Sequence, residues 1–290
     1  MNDDLVRALE AGAKLHAAPK LQKLIRIPWK LAYSEFFRRR RGPISKRTIK
    51  TFWGGEMIVV FPEGVSVGIY RYGFLEYELS RIFLEYLKPG MTFFDVGAHF
   101  GYFTCLASHL VGSGGSVHSF EPTRSTFQIL SENAVGRANV TTNNLAAFSR
   151  EGSIFFNDLG VTNSAFNSVA AARMEEDERS KLQADRYEVK AITLDNYVRR
   201  TGARPAAMKI DAESAEYEIL LGMEWILSEV RPAVSIEVGD YSLDGVASSS
   251  NVVKHMIGKG YRPHEWRDGA LRPHELKATY GYGNLWFIPE

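Results

Sequence analysis

Acidic residues and glycines follow two predicted strands near the middle of the chain. Residues 92–104 read TFFDVGAHFGYFT, in which an apolar run ends at Asp95 and continues through two glycines into an amphipathic run. This pattern predicts a strand, a tight turn and a helix. A second apolar run, residues 117–120, ends at Glu121, whose carboxylate could bind both hydroxyls of a ribose. The two strand ends together predict a crevice that binds a nucleoside.

The glycine spacing differs from the dinucleotide-binding pattern G-x-G-x-x-G. Gly97 and Gly101 are preceded by Asp95, whose carboxylate would repel a pyrophosphate at the helix N-terminus. A carboxylate suits a cationic nucleoside that carries an amino group and a sulfonium, which is S-adenosylmethionine. The spacing therefore disfavours a dinucleotide-dependent oxidoreductase. An ordinary tight turn between strand and helix is the alternative interpretation of the glycine pair.

Further acids follow two later predicted strands. Asp211 and Glu213 end the strand at residues 206–212, and Glu237 with Asp240 ends the next one. Transfer of a methyl group from a sulfonium is an in-line displacement, so the protein must align the acceptor and remove a proton from an acceptor hydroxyl. Carboxylates suit that proton removal better than they suit a pocket for a neutral base nitrogen.

Three interpretations of these acids remain open. One of the carboxylates, or His99 in the glycine turn, could act as the base. The four acids could instead share a Mg²⁺ ion, which prefers oxygen ligands, although no histidine-rich ligand set accompanies them. Alternatively, Glu213 and Glu216 only complement the dipole of the following helix, with Asp211 as its cap.

Alternating strands and helices surround these residues and predict an α/β fold with a mostly parallel sheet. Tyr72, Gly73 and Glu78 are expected near the crevice, and Asn144 could present its amide to the adenine. A substrate-shaping insertion is expected within residues 151–187. The predicted strands are 56–61, 65–70, 140–147, 189–193, 206–212, 232–238, 261–266 and 284–289, and the predicted helices are 75–87, 125–135, 174–187, 194–200 and 251–259.

Composition limits the class of protein. The 290 residues include 45% hydrophobic residues, enough for one large domain with an extension, and the net charge of +1 gives no overall attraction to DNA. A single cysteine, Cys105, excludes an intrachain disulfide framework. No signal peptide or apolar run of transmembrane length is present, which predicts a cytoplasmic protein. The sequence does not indicate an oligomeric state.

Residues 20–50 form a basic segment with eleven Lys or Arg residues and one acid, Glu35. Apolar residues at helical spacing, interrupted at Pro19 and Pro28, predict two or three short helices before residue 40. The segment could pack as a cap on the catalytic domain with its charges in solvent, contact an anionic membrane surface, or contact RNA phosphates. We assign residues 1–72 to an N-terminal arm and residues 73–290 to the catalytic domain.

Five ordered motifs resemble those of the FkbM family of S-adenosylmethionine-dependent methyltransferases. They are DVGAHFGYFT (95–104), FEP (120–122), TLD (193–195), KIDAESAE (209–216) and IEV (236–238). The resemblance implies a Rossmann-like class I methyltransferase fold with a seven-stranded sheet, and O-methylation of a sugar or natural-product hydroxyl. Two positions depart from the family, since His99 stands where Asn is usual and Ser214 stands where Gly is usual.

These observations give one set of site predictions and two alternatives. The predicted catalytic residues are Asp211, Glu213, His99 and Glu237, and the predicted cofactor-binding residues are Asp95, Gly97, Ala98, Gly101, Thr104, Glu121 and Asn144. The predicted acceptor is a hydroxyl of a small molecule or glycan, including a glycolipid. The alternatives are an RNA 2′-O-methyltransferase, for which only Lys209 and Asp211 of a Lys-Asp-Lys-Glu set are evident, and a non-catalytic partner subunit.

Overall fold

The computed structural model describes residues 2–39, 44–166, 185–240 and 246–290. The helices are α1 (Asn2–Ala17), α2 (Lys20–Arg26), α3 (Pro28–Arg39), α4 (Gly64–Tyr72), α5 (Tyr77–Tyr86), α6 (Tyr102–Val111), α7 (Arg124–Ala134), α8 (Leu194–Thr201), α9 (Glu216–Leu221) and α10 (Ser249–Gly258). A 3₁₀ helix covers Val161–Phe166 and a short π-helix covers Ile226–Val230.

The strands are β1 (Ser45–Lys50), β2 (Glu56–Phe61), β3 (Thr92–Val96), β4 (Ser116–Phe120), β5 (Val140–Asn143), β6 (Ala146–Ala147), β7 (Gly152–Asp158), β8 (Asp185–Ile192), β9 (Ala207–Ile210), β10 (Ala233–Val238), β11 (Tyr261–Arg267), β12 (Ala270–Pro273) and β13 (Gly283–Pro289). Eight of them form the central sheet in the order β12-β11-β13-β10-β9-β3-β4-β5. Strands β5, β4, β3, β9 and β10 are parallel, and β13, β11 and β12 complete the sheet antiparallel.

This sheet confirms the predicted class I methyltransferase fold, with β12 as an eighth strand that the hairpin partner β11 adds at the edge. The strand order reverses between β3 and β9, because β3 is followed in the chain by β4 on one side and pairs with β9 on the other. In open α/β sheets such a switch point opens a crevice at the carboxyl ends of the strands. Asp95 and Lys209 are adjacent in register there, on β3 and β9.

Residues 65–70 form helix α4 and not the second strand of a hairpin, so that prediction is wrong. The Glu63 side chain accepts hydrogen bonds from the backbone nitrogens of Val65 and Ser66 at 2.7 and 2.6 Å, which caps the helix. Val65 and Ile69 are then one turn apart, so both lie on the same face of the helix. The capping carboxylate decides the structure here, against the β-branched residues that favoured a strand.

Two further predictions needed correction. The predicted strand 140–147 consists of β5 in the central sheet and β6 in a separate three-stranded sheet, with the break at Asn144 and Leu145. Residues 185–187, the end of the predicted helix 174–187, open β8, which pairs with β7 from Asp185 onward. Residues 174–184 lie outside the described residues, as do Arg40 and Arg41 of the basic segment.

Residues on both sides of position 72 share one hydrophobic core. Leu9 of α1 and Phe61 of β2 belong to the same buried cluster as Phe93 of β3 and Phe103 of α6. Helix α3 packs on α4, where the Arg71 Nε donates to the Ser34 Oγ at 2.8 Å. Helix α1 therefore packs on α4 and α5, and α3 packs on α4, before the chain enters the central sheet. Within the described residues, no helix has the length and apolar character that crossing a bilayer requires.

The turn after β3 lies against the backbone that follows β9. Gly97 has φ +76°, and a Cβ atom at this position would lie 1.7 Å from the carbonyl oxygen of Asp211. The backbone nitrogens of Gly97 and Ala98 both donate to the Phe120 carbonyl oxygen at 3.0 Å. Because no side chain fits between the two backbones, Gly97 sets the distance between the ends of β3 and β9.

We predict that Gly97→Ala lowers the free energy of unfolding by more than about 3 kcal/mol, because an unfavourable φ and a backbone clash add together. The matched control is Gly90→Ala, at φ +87° with open space where the added methyl group would lie, for which only the conformational cost of about 1–2 kcal/mol is expected. Chemical denaturation of both variants measures the difference. Equal losses in the two variants would contradict the close backbone contact.

Candidate active site

A cavity lies at the carboxyl ends of β3, β4, β9 and β10. Its walls include the glycine turn after β3, the end of β4 with Glu121, and the segment after β9. Helix α4 contributes Val65 and Ile69 from the other side of the opening, and the 3₁₀ helix contributes Ser164. The predicted crevice therefore exists at the switch point of the sheet. Of the predicted site residues, those that line it are Gly97, Ala98, His99, Glu121, Asp211, Glu213 and Glu237.

The Glu121 carboxylate at the end of β4 is buried and extensively hydrogen-bonded. Its Oε2 accepts from the His99 backbone nitrogen at 2.9 Å, and its Oε1 accepts from Thr123 N at 3.0 Å and from Thr126 Oγ1 at 2.8 Å. Burial raises the pKa of Glu121, and these donors lower it. The carboxylate thus fixes the glycine turn while it faces the cavity. One charged acceptor is held where a ribose could meet it.

His99 has a left-handed backbone with φ +51° and a side chain directed across the cavity. Its Nε2 lies 2.6 Å from the Ser164 Oγ, and its ring centroid is 3.9 Å from that of Phe100. Burial lowers the pKa of His99 to about 4. The imidazole is therefore neutral at neutral pH and serves as a hydrogen-bond partner of the 3₁₀ helix.

Asp95 lies beneath the cavity floor and is not part of the lining. The residue is fully buried, and its Oδ2 accepts from Thr104 Oγ1 at 2.6 Å, which in turn is 2.7 Å from Ser119 Oγ. Its Oδ1 has no partner among the described residues. Burial raises the pKa of Asp95, and the nearby Lys209 lowers it. Asp95 and Thr104 therefore form a buried network that joins β3, α6 and β4 under the glycine turn.

Gly101 and Asn144 also lie outside the cavity lining. Gly101, with φ +85°, begins α6 against Leu130. The Asn144 Nδ2 donates to the backbone oxygens of Glu121 and Pro122 at 2.8 and 2.9 Å. Asn144 thus fixes the loop after β4, and the apolar residues Leu145 and Phe156 line the cavity instead.

Lys209 is a buried cation at the end of β9. Its side chain is 4% exposed, and its Nζ donates to Asp211 Oδ2 at 2.9 Å and approaches the carbonyl oxygen of Gly97 at 3.5 Å. Burial opposes the charged form, but Asp211, Asp95 and Glu76 together raise the pKa of Lys209 above its usual value. The ammonium is therefore held charged among carboxylates, and one of them, Asp211, is directly paired with it.

The Glu216 carboxylate accepts hydrogen bonds from the loop after Asp211. Glu213 and Ser214 have φ values of +49° and +82°, a conformation that favours glycine. The Glu216 Oε1 accepts from the backbone nitrogens of Ala212 and Ser214 at 3.0 and 3.3 Å. Glu216 therefore turns back onto the loop from the first position of α9. Ser214, where the family usually has Gly, occupies the more glycine-like of the two positions.

Three carboxylates converge at the ends of β9 and β10. Asp211, Glu213 and Glu237 each place one oxygen within 4.8 Å of the others. Asp240, which the sequence grouped with them, instead accepts from the backbone nitrogens of Tyr280 and Ser249 at 2.8 Å each. Three acids therefore converge, and not the four that the sequence predicted. One of the three, Asp211, is paired with Lys209.

Sequence reasoning missed a further acid on the cavity wall. The sequence pointed to Glu78, but α5 begins at Tyr77, so Glu76 precedes the helix and lines the cavity while Glu78 is not in its lining. The Glu76 Oε2 accepts from the Asn284 Nδ2 at 2.8 Å. Tyr282, in the same segment as Asn284, also lines the cavity. Only the exact start of α5 distinguishes Glu76 from Glu78, and helix boundaries are poorly specified by sequence.

These groups fit S-adenosylmethionine by their chemistry. Glu121 can accept from ribose hydroxyls, apolar side chains line the cavity beside it, and the glycine turn leaves backbone open to a ligand. The Glu76 carboxylate lines the cavity and is placed to attract a cationic ligand. Residues 97–100 and Glu121 would hold the cofactor, which supplies an electrophilic methyl group when bound.

Comparison with known proteins agrees with this interpretation. The profile of the Methyltransferase FkbM domain matches residues 95–263. A relative, the 31-O-demethyl-FK506 methyltransferase FkbM of Streptomyces tacrolimicus, is 30% identical over 186 residues, which cover 55% of this chain and 71% of that protein.

Two solved structures of methyltransferases are also similar. The FkbM methyltransferase of Methylobacillus flagellatus is 13% identical with a TM-score of 0.43, over 78% of this chain and 55% of that one, so this chain spans about half of its length. The Aeropyrum pernix fibrillarin, which binds S-adenosylmethionine, is 10% identical with a TM-score of 0.44, over 85% of this chain and 98% of that one. Because the domain profile matches more than half of the sequence, the chain belongs to the FkbM family of methyltransferases.

Proposed function

We propose that this protein transfers the methyl group of S-adenosylmethionine to a hydroxyl of a sugar, a glycolipid or another natural product. The observation that carries the proposal is the convergence of Asp211, Glu213 and Glu237 within 4.8 Å beside the glycine turn. Carboxylates can accept the hydrogen of a hydroxyl and orient its oxygen. The name of the Streptomyces tacrolimicus relative, which refers to an O-demethylated compound, supports a hydroxyl acceptor.

The cofactor side of the cavity is assigned to the ends of β3 and β4. Glu121 would bind the ribose hydroxyls, and Gly97, Ala98 and His99 would lie along the cofactor. Asp95 and Thr104 act from below, because their hydrogen bond holds the strand and helix on either side of the glycine turn. Gly101 and Asn144 support the two loops that border the cavity.

The acceptor side is assigned to the ends of β9 and β10. We infer that Asp211 and Glu213 orient the acceptor hydroxyl, with Glu237 as a further hydrogen-bond acceptor. The same carboxylates offer the oxygen ligands that Mg²⁺ prefers. However, Lys209 lies 2.9 Å from Asp211 and already supplies a positive charge at that carboxylate. We therefore propose alignment by the carboxylates themselves, and a chelator tests the metal alternative.

An acceptor screen tests the proposal directly. Purified protein, S-adenosylmethionine and separate pools of glycans, glycolipids, hydroxylated natural products and structured RNA are incubated, and mass spectrometry records a gain of one methyl group. We expect the gain on a hydroxyl in one of the first three pools. A gain in the RNA pool would favour an RNA 2′-O-methyltransferase, and binding without any gain would favour a partner subunit.

The arm surface, defined as Leu21, Ile25 and Trp29 with the surrounding basic residues, fits an anionic membrane. These three side chains are 71%, 72% and 84% exposed, and α2 buries no residue. Leu21 and Ile25 are four positions apart on α2, which places them on one face of that helix, and Trp29 lies in the first turn of α3. The only acid of residues 20–50, Glu35, is already paired with Arg38 and Arg39. We propose that this surface makes a peripheral contact with anionic lipid, because exposed apolar and basic side chains together favour such a boundary.

We predict that Glu121→Gln weakens S-adenosylmethionine binding by about 1–3 kcal/mol, because the ribose hydroxyls lose a charged acceptor. Glu121→Ala should weaken binding similarly and also lower the melting temperature, since it leaves the His99 and Thr123 backbone nitrogens without an acceptor. Calorimetry and thermal melting measure the two effects. Unchanged affinity in folded Glu121→Gln protein would remove Glu121 from the ribose site.

We predict that Asp211→Asn and Glu213→Gln lower kcat by about 10²–10⁴-fold while cofactor affinity is nearly unchanged, because alignment of the acceptor is lost. Glu188→Gln, at an exposed position of β8, is the control. The prediction that Asp211 caps this helix is wrong, because Ala215 is the N-cap of α9 and no side chain in the described part of the chain caps it. If the acids only complement the dipole of α9, the variants lose at most about 1 kcal/mol of stability and keep their turnover. Activity that EDTA abolishes and Mg²⁺ restores would support the metal alternative.

We predict that the protein co-sediments with vesicles of phosphatidylcholine and phosphatidylserine at low salt, and much less with phosphatidylcholine alone. Each basic residue near the lipid contributes about 1 kcal/mol, which salt screens. Trp29→Ala combined with Ile25→Ala should reduce sedimentation, whereas Val135→Ala, at a 79% exposed position just after α7, should not. Equal sedimentation of the wild type and the double variant, or no sedimentation of the wild type, would contradict the membrane contact. The segment would then be a cap on the catalytic domain with its charges in solvent.

A further inference from the structure

The far wall of the cavity is built from two segments that lie outside the matched FkbM domain. That domain covers residues 95–263, whereas Glu76 precedes it and Tyr282 and Asn284 follow it. The two segments meet at β13, where Asn284 is the register partner of Glu237 on β10. This wall therefore lies next to Glu237, one of the acceptor-side acids, although its residues are not part of the family motifs.

Glu76 is held at this wall in an unusual backbone conformation. Its φ is +41°, a left-handed conformation that a non-glycine residue rarely adopts and that the surrounding structure must impose. Its Oε2 accepts from the Asn284 Nδ2 at 2.8 Å. A carboxylate oxygen can accept more than one hydrogen bond, so this anchor leaves acceptor capacity on the side chain.

Some of the surroundings of Glu76 oppose its ionisation, and others favour it. Burial first, and then the negative charge of Asp211, raise the pKa of Glu76 to about 7, whereas Lys209 and the Asn284 hydrogen bond lower it. The titratable or charged groups that interact with it are Asp95, Tyr102, Lys209, Asp211 and Tyr282. A group with this balance can hold or release a proton near neutral pH.

Two of the other candidate bases are engaged differently. Asp211 is paired with Lys209 at 2.9 Å, so its Oδ2 is already engaged by a buried ammonium. His99 has a pKa lowered to about 4 by burial and is bonded to Ser164. His99 is therefore poorly suited to receive a proton at neutral pH, and one carboxylate oxygen of Asp211 is already occupied by Lys209.

We propose that Glu76 is the catalytic base, facing the transferred methyl group and taking the proton of the acceptor hydroxyl. This inference rests on the proposed O-methyl transfer and names the residue that completes it. The acceptor oxygen forms a bond to the methyl carbon as the sulfur–methyl bond breaks, and the electron pair of that bond stays on sulfur. The hydroxyl proton passes to the Glu76 carboxylate, so the products are a methyl ether, a neutral thioether and a protonated Glu76.

Asn284 positions this carboxylate in both of its protonation states. An amide can donate from its nitrogen to the carboxylate, and after rotation it can accept from a carboxylic acid through its oxygen. The Asn284 Oδ1 is buried and has no partner among the described residues. The Asn284 side chain therefore has an unused acceptor oxygen, which after this rotation could accept from a protonated Glu76.

The test compares S-adenosylmethionine with S-adenosylhomocysteine, which lacks the sulfonium charge, and requires no acceptor. Dissociation constants for both are measured by calorimetry from pH 5.5 to 8.5. The proteins are wild type, Glu76→Gln, and Glu78→Gln as the matched control, two residues along the chain and outside the cavity lining.

A carboxylate close to the transferred methyl group attracts the sulfonium only when it is ionised. As the pH rises through about 7, Glu76 loses its proton, so the preference for S-adenosylmethionine over S-adenosylhomocysteine should increase. We expect an increase of about 3- to 10-fold in wild type and in Glu78→Gln, and none in Glu76→Gln. With the acceptor found by the screen, Glu76→Gln should also lose most of its kcat.

Two results would overturn the assignment of Glu76 alone: a wild-type preference independent of pH, or an increase that persists in Glu76→Gln. Failure of wild type to bind either compound would contradict the proposed function itself, so the two failures are distinguishable. Asn284→Ala provides a second variant in case Glu76→Gln does not fold. Loss of the Asn284 hydrogen bond should raise the pKa of Glu76 and move the midpoint of the preference to higher pH, and an unmoved midpoint counts against the assignment.

Discussion

The buried ammonium of Lys209 is the interaction on which the cavity depends. Asp211, Asp95 and Glu76 surround it, and the ring centroid of Phe103 lies 5.3 Å from its Nζ. Without this cation, like charges at the carboxyl ends of β3 and β9 would face one another in a medium of low polarity, and one or more would take up a proton. Lys209 therefore allows several carboxylates to be concentrated at one edge of the sheet. Removal of such a charge leaves its partners uncompensated, which is usually costly in a protein interior.

The motif at residues 95–104 has two parts with different roles, which are the glycine turn and the buried network beneath it. Gly97 and Ala98 present backbone to the cavity, whereas Asp95 and Thr104 face the other way and hold β3, α6 and β4 together. The motif therefore acts as a support for the ligand-facing turn as well as a part of it. Asp95 therefore contributes to the cavity through the turn that it supports and not through its own surface.

Much of the fold followed from the sequence, because alternating strands and helices specify the parallel sheet. The glycine turn and Glu121 were also evident, since strand ends, glycines and acids appear in order. Other features depended on details that the pattern of residue types does not contain. Helix α4 forms because Glu63 caps it. Glu76 faces the cavity because α5 begins at Tyr77, so that Glu76 precedes the helix. The partner of Glu76, Asn284, is 208 residues away and could not be paired with it from spacing.

Helix α4 connects the arm surface to the cavity. One side of the helix places Val65 and Ile69 in the cavity wall, and the other receives α3 through the bond between Arg71 and Ser34. Any shift of α4 changes both sides at once, because a packed helix moves as a unit. If the arm binds a surface more tightly in one position of α4, thermodynamic linkage requires that a ligand favouring the same position strengthens that binding by an equal factor. Occupancy of the cavity would then set how long the protein stays on the surface, and the surface would set how readily the cavity fills.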